Sequence, residues 1–140
     1  METLGLFAPE TAAEARERYD ALGPAAQVVT REVATAMEFD AAEYRERVTG
    51  EVVATARDAL FASLLEVTVG DAPDLEDAVD AHPDYDVRRQ GHPEVDRAVW
   101  HVAPAAEALV AATFQDERDA AVATLRRQAF GAVYRDLLDG

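Results

Sequence analysis

The sequence has 140 residues, a length typical of one domain spanning residues 1–140, and 49% of them are hydrophobic, which is enough to form a core. The absence of cysteine excludes disulfides, thiolate zinc sites and a cysteine nucleophile. The 28 acidic residues outnumber 13 basic ones, and the net charge of −15 disfavours binding to nucleic acid, whose phosphates such a surface would repel.

The types of charged residue in the chain indicate the salt concentration in which the protein functions. All 13 basic residues are arginine, and lysine, isoleucine and asparagine are absent. A GC-rich genome would explain the missing residue types but not the abundance of acids. Surface carboxylates suit molar salt, because their hydration is kept and their mutual repulsion is screened there. We therefore expect a halophilic protein. The start METLGLFAPE lacks the features of a signal peptide and no apolar run could span a membrane, so we also expect it to be cytoplasmic.

Two helices are predicted at the start of the chain, over residues 9–22 and 24–37. A Gly-Pro pair at residues 23–24 separates them, and proline is favoured in the first turn of a helix. In the second helix, four apolar residues recur at roughly the 3.6-residue period of an amphipathic helix: Val28, Val29, Val33 and Met37. The valines would also suit a strand.

A long helical run is predicted over residues 39–66, with its apolar stripe formed by Tyr44, Val48, Val52, Leu60 and Leu64. Gly50 interrupts the run. We interpret this glycine as a close-packing point or as a kink between two helices, rather than as a functional residue.

A change of period marks the middle of the chain. Residues 67–74 resemble a turn and residues 74–82 a brief helix. After them the apolar residues alternate with a period of two in residues 84–90 and 95–103, and the four-residue link between these segments contains Gly and Pro. An antiparallel hairpin is the natural prediction.

Residues 107–115 are predicted as a third strand of the same sheet, although a helix would also suit them. Residues 116–138 are predicted as a long C-terminal helix, capped by Asp116. Its buried stripe would be formed by Val122, Leu125, Ala129, Val133 and Leu137. The expected fold class is therefore α+β, with N-terminal helices, a small three-stranded antiparallel sheet and a long C-terminal helix packed on it.

Three stretches of the chain are similar to a family of uncharacterised haloarchaeal proteins, a domain of unknown function. They are METLGLFAPETAAEARERYDAL, PAAQVVTREVATAMEFD and AATFQDERDAAVATLRRQAFG, of which the third is the most distinctive. The resemblance covers nearly the whole chain and agrees with the halophilic composition. It implies no activity and no catalytic residues.

Enzyme motifs are lacking. Ser63, the only serine, lies within a predicted helix rather than at the sharp strand-to-helix turn that exposes a nucleophilic serine. No glycine-rich phosphate-binding pattern occurs. We therefore expect neither a catalytic residue nor a cofactor.

The predicted hairpin carries the candidate site residues. Its register would place Arg88 opposite Arg97 and Asp84 opposite His101 on one polar face. His92 would lie in the hairpin loop, about 23 Å from His101. His82, Asp84 and His101 could then hold a divalent ion, but an Asp84–His101 ion pair is the simpler interpretation, so no metal site is predicted. The Arg88–Arg97 pair would need a carboxylate or a small anion to neutralise it.

The sequence favours a non-catalytic role. A third strand that is apolar on both faces would leave an apolar edge, and such an edge invites pairing with a second chain. We therefore expect an interaction or regulatory protein that forms a homodimer, or binds another protein, through this edge or the adjoining helices. The alternative is a small enzyme or an anion- or metal-binding protein that uses the polar face around Asp84, Arg88, Arg97 and His101.

Overall fold

The computed structural model describes residues 1–139 and contains a mixed five-stranded sheet. Most of the helices pack on one face of this sheet, and a single helix packs on the other. The strands are β1 (Glu2–Leu4), β2 (Val67–Asp71), β3 (Asp86–Gln90), β4 (Arg97–Ala103) and β5 (Ala108–Thr113). The helices are α1 (Ala12–Ala21), α2 (Gly23–Ala36), α3 (Ala41–Arg47), α4 (Gly50–Ser63), α5 (Ala72–Ala81), α6 (Arg118–Ala129) and α7 (Arg135–Asp139). The predicted α+β class is confirmed.

Polar side chains define where the N-terminal helices begin. Thr11, Asp40 and Thr49 each accept a hydrogen bond from a backbone N–H in the first turn of α1, α3 and α4, respectively. The helical run predicted over residues 39–66 is therefore two helices, because Thr49 starts a new one. Gly50 is the first residue of α4, and a Cβ placed there would contact nothing within 4 Å. Gly50 therefore lies at a break between helices and is not a close-packing point.

The predicted three-stranded antiparallel sheet is wrong in its size and its pairing. The strand order is β1-β2-β4-β5-β3, so β5 lies between the two strands that were predicted to form a hairpin. β5 is parallel to β3 and antiparallel to β4. Its apolar side chains explain this position, because a strand that is apolar on both faces is best covered at the centre of a sheet. The polar strand β3, with the sequence DVRRQ, takes the edge.

Residues 67–71 form strand β2 rather than part of the predicted turn. Val67 and Val69 are buried on the main core, and β2 pairs with β4 on one side and with β1 on the other. The turn follows directly, where Asp71 and Asp74 form a reciprocal capping box at the start of α5. The predicted helix over residues 74–82 is confirmed as α5.

The larger face of the sheet packs against α1, α4 and α6, with the ring of Phe61 at the centre of an aromatic cluster. Phe61 contacts the rings of Phe7, Tyr19, Phe130 and Tyr134, all with centroids 5.3 to 5.9 Å away. The smaller face is covered by α5, where Leu75 packs with Trp100 and Leu109.

The predicted long C-terminal helix is present but contains a π turn, Phe130–Tyr134, between α6 and α7. Four residues of its predicted stripe are buried, and Leu137 is half-buried. Phe130 and Tyr134, the first and last residues of the π turn, are buried as well. The predicted cap at Asp116 is wrong, since Glu117 precedes the helix and its side chain makes no capping bond. No helix within residues 1–139 is long and apolar enough to cross a membrane.

Candidate interaction surface

The four residues of the predicted polar face are not brought together. Arg88 is paired with Val110 of β5, and its guanidinium contacts Asp86 and the Ala132 carbonyl oxygen. Arg97 is paired instead with Asp71 of β2. The Arg97 guanidinium stacks on the ring of Phe114, 4.6 Å from its centroid. The predicted Arg88–Arg97 contact is wrong because β5 separates the two strands.

His101 is buried in the core, so it cannot share a polar face with Asp84, which is exposed in the turn after α5. The His101 Nδ1 donates a hydrogen bond of 2.6 Å to the Glu66 carbonyl oxygen. Its Nε2 accepts one of 2.6 Å from the Tyr134 hydroxyl. Burial, and secondarily the charge of Arg126, lower the pKa of His101 to about 4, although the bond to Glu66 opposes the shift. His101 is therefore a neutral, fully bonded core residue.

The remaining histidines are also apart. His82 ends α5 and stacks on the ring of Tyr85 at 4.5 Å, whereas His92 lies in the exposed β3–β4 connection. Within residues 1–139, no three His, Asp or Glu side chains are arranged to hold a metal ion. The predicted site thus has no common geometry.

A different surface stands out, formed by large apolar side chains on the α2–α4 helix pair. Of the seven large hydrophobic side chains exposed in residues 1–139, five lie on this pair, with exposed fractions of 41% to 59%. They are Val28, Val29, Val33, Met37 and Val52. Scattered exposed hydrophobic residues are ordinary, but a contiguous set usually marks a binding surface.

Small residues explain why this apolar face points outward. α2 packs against α4 through Gly23, Ala26, Thr30 and Ala34, which are buried and allow the two helices to approach closely. The valines predicted as the apolar face of α2 lie beside this seam and remain accessible to solvent. The helix itself was predicted correctly, but most of its large apolar side chains are not covered by the protein.

Four of these side chains, Val29, Val33, Met37 and Val52, line a groove of about 540 Å³ between α2 and α4. Thr30, Ala34 and Ala56 are among its lining residues, and Phe39 and Val48 lie at the end near α3. The guanidinium of Arg47 lies over the Phe39 ring, 5.6 Å from its centroid. We refer to this groove and its four exposed apolar side chains as the α2–α4 surface.

The α2–α4 surface is also poor in charge. Within residues 23–37, Arg31 and Glu32 are the only charged residues, so this segment is neutral in a chain whose net charge is −15. Sequence reasoning missed the surface because the spacing of the valines indicates an apolar face without indicating whether the protein covers it.

A family model described as a family of unknown function (DUF5809) matches residues 6–135, nearly the whole chain. No curated protein and no solved structure matches the chain.

Proposed function

The chain belongs to DUF5809, a family of unknown function, and we propose that it is a self-associating interaction protein whose α2–α4 surface binds the same surface of a second copy. The observation that carries the proposal is the clustering of four exposed, large apolar side chains along one groove between α2 and α4.

Burial of these side chains supplies the driving force. Moving a valine or methionine side chain fully out of water gains about 1.5–3 kcal/mol, and these four are roughly half exposed. Two helix pairs that meet face to face would form a four-helix arrangement, a common way of covering apolar helix faces. A second copy can cover the groove and the exposed side chains that border it at the same time.

The local neutrality of α2 permits a second copy as the occupant. Two molecules that each carry a charge of −15 repel one another over most of their surfaces, so they can meet only where that charge is locally absent. α2 provides such a place.

The expected setting is the salt-rich cytoplasm of a halophilic archaeon. The charge of −15, the use of arginine as the only base and the resemblance to haloarchaeal proteins support this expectation. High salt would screen the repulsion between two copies and strengthen apolar contacts. The same acidic surface argues against nucleic acid as a partner.

Light scattering on a size-exclusion column in molar KCl tests the proposal. The wild-type mass is expected to be about twice the 15.2 kDa of one chain. Val33→Glu puts a charge into the centre of the surface, and the variant is expected to elute as a monomer, because an unpaired charge at an interface is costly.

Leu6→Glu is the matched control. Leu6 is 76% exposed and lies outside the α2–α4 surface, so the same change there should leave the dimer intact. A wild-type protein that stays monomeric at all concentrations would reject self-association, and loss of the dimer in both variants would reject the assigned surface.

A further inference from the structure

A second cavity, of about 490 Å³, adjoins the groove along α4, where this helix faces α6 and the start of α7. Alanines create the space, because Ala59 and Ala62 of α4 face Ala123 of α6 across it. The remaining lining residues are Thr55, Asp58, Ser63, Arg126, Arg127, Phe130 and Arg135. None of them belongs to the polar face predicted from the sequence.

Three arginines line this cavity without a carboxylate partner. Arg126 donates through Nε to the Leu65 carbonyl oxygen at 2.9 Å, and Arg127 donates to the Thr124 hydroxyl at 3.3 Å. Arg135 stacks on the Phe130 ring, with its guanidinium carbon 5.3 Å from the ring centroid. Within residues 1–139, none of the three forms a salt bridge. Nine of the 13 arginines form no salt bridge within residues 1–139, and these three are distinguished by lining one cavity together.

The π turn brings Arg135 to the cavity. Because an α-helix turns about 100° per residue, nine regular steps would place Arg135 about 180° around the axis from Arg126. The extra residue of the π turn, marked by the bond from the Arg135 N–H to the Phe130 carbonyl, reduces that angle to about 80°. Arg135 therefore lies on the same side as Arg126 and Arg127. Single π turns occur frequently at functional sites.

The charges of the cavity select its ligand. The three guanidinium groups carry three positive charges, and Asp58 carries one negative charge, so the cavity has a net charge of +2. The Asp58 carboxylate is already held by the Tyr19 hydroxyl, which donates a 2.6 Å bond to Oδ1. Burial and this bond raise the pKa of Tyr19 to about 12, so the tyrosine stays protonated. Among small anions, a phosphomonoester, with a charge near −2 at neutral pH, matches +2 better than a carboxylate does.

The rest of the lining is apolar or already bonded. The Thr55 and Ser63 hydroxyls donate to carbonyl oxygens of their own helix, at 3.0 and 2.8 Å. The three alanines and Phe130 offer a surface for an apolar or aromatic group. Arginine is well suited to phosphate because its planar fork can donate two parallel hydrogen bonds.

From these observations we propose that the cavity between α4 and α6 binds a small organic phosphomonoester, with the phosphate at Arg126, Arg127 and Arg135 and the apolar body on the alanines and Phe130. The site shares Thr55 and Ala59 with the groove of the α2–α4 surface, but its three arginines lie outside that surface, and the proposal does not depend on self-association.

Calorimetric titration with three probes tests the site: phenyl phosphate, inorganic phosphate and benzoate. Phenyl phosphate is expected to bind most tightly, since it alone has both the dianion and the ring. Arg127→Gln and Arg135→Gln each remove one charge-assisted contact and should weaken phenyl phosphate binding by at least about tenfold. Arg45→Gln, which changes an exposed arginine of α3 outside the cavity, should leave the affinity unchanged.

Thermal melting checks that both cavity variants are folded. Each changes an exposed side chain, so each should unfold within a few degrees of the wild type. Equal affinity for benzoate and phenyl phosphate would overturn the assignment of a phosphate. Equal affinity for inorganic and phenyl phosphate would overturn the assignment of an apolar body. Affinity that is unchanged in both cavity variants, or an absence of binding by all probes, would overturn the site itself.

Discussion

Acidification from pH 7 to pH 5 is expected to cost about 2 kcal/mol of folding stability through His101 alone. In the folded protein the pKa of His101 is lowered to about 4 from an ordinary value of 6.5. Between these two values the unfolded chain binds a proton and the folded protein does not. Stability is therefore complete above about pH 6.5 and falls as the pH drops towards 4.

The contacts of His101 give the reason for this direction. Its Nδ1 faces the Glu66 carbonyl and its Nε2 faces the Tyr134 hydroxyl, while Arg126 lies close enough to oppose a positive charge. Neither partner is a carboxylate that could stabilise an imidazolium ion. The Asp84–His101 ion pair predicted from the sequence would have raised the pKa instead, and the protein would then become more stable on acidification through this range.

Urea unfolding at pH 7 and pH 5 measures the effect. His101→Gln removes the titrating group, so the loss of stability between the two pH values should shrink by about 2 kcal/mol, whatever the variant's stability at pH 7. His92→Gln is the control, because His92 is exposed in a connecting segment. A wild-type protein that gains stability at pH 5, or the same pH dependence in His101→Gln, would contradict a buried neutral histidine.

A second large effect is expected from salt. Five acidic side chains form salt bridges in residues 1–139, and the chain has 28 acids in all, so most carboxylates repel one another without compensation. The screening length falls from about 10 Å at 0.1 M salt to about 3 Å at 1 M. We expect the melting temperature to rise by at least about 10 °C from 0.1 to 2 M KCl, which corresponds to a few kcal/mol for a chain of this length.

A charge-reduced variant separates screening from a general effect of salt. The triple change Glu17→Gln, Glu46→Gln and Glu94→Gln alters exposed acids that form no salt bridge and lowers the net charge from −15 to −12. Its melting temperature should depend less steeply on KCl than that of the wild type. Identical slopes would show that carboxylate repulsion is not the cause, and a melting temperature that falls with KCl would rule out adaptation to high salt.

Helices were the most predictable part of the fold, because their signals are local. The caps at Thr11 and Asp40 lie next to the segments they start, and the period of the apolar residues extends through each helix. The strands β3, β4 and β5 were also located correctly. Their pairing was not, because two alternating segments joined by a short Gly-Pro link favour a hairpin in any local interpretation.

One sequence feature did indicate the true pairing. LVAATF is apolar on both faces, and DVRRQ carries three charges. If the expected burial of each segment had been considered before its position next to other segments in the sequence, LVAATF would have been placed at the centre of the sheet and DVRRQ at its edge. Strand β2 was missed for a different reason: VTVGD is short, and Gly70 and Asp71 resemble the start of a turn, which they directly precede.

The candidate sites were harder to predict than the fold. The valines of α2 and its small residues form two faces, and the sequence does not indicate which of them packs against α4. The arginine cavity depends on the π turn, and no pattern in FGAVY marks an extra residue in that turn. Both sites arise from packing between segments far apart in the chain.

Chemical cross-linking tests the central claim, self-association through the α2–α4 surface, most directly. Because the chain contains no cysteine, single cysteines can be introduced at Val29, Val33 or Met37, and at Leu6 as a control, and joined with a short bismaleimide. We predict covalent dimers for at least one of the three α2 positions and none for Leu6 at the same protein concentration. Cross-linking at Leu6 as efficient as at α2, or none at any α2 position, would contradict the proposed interface.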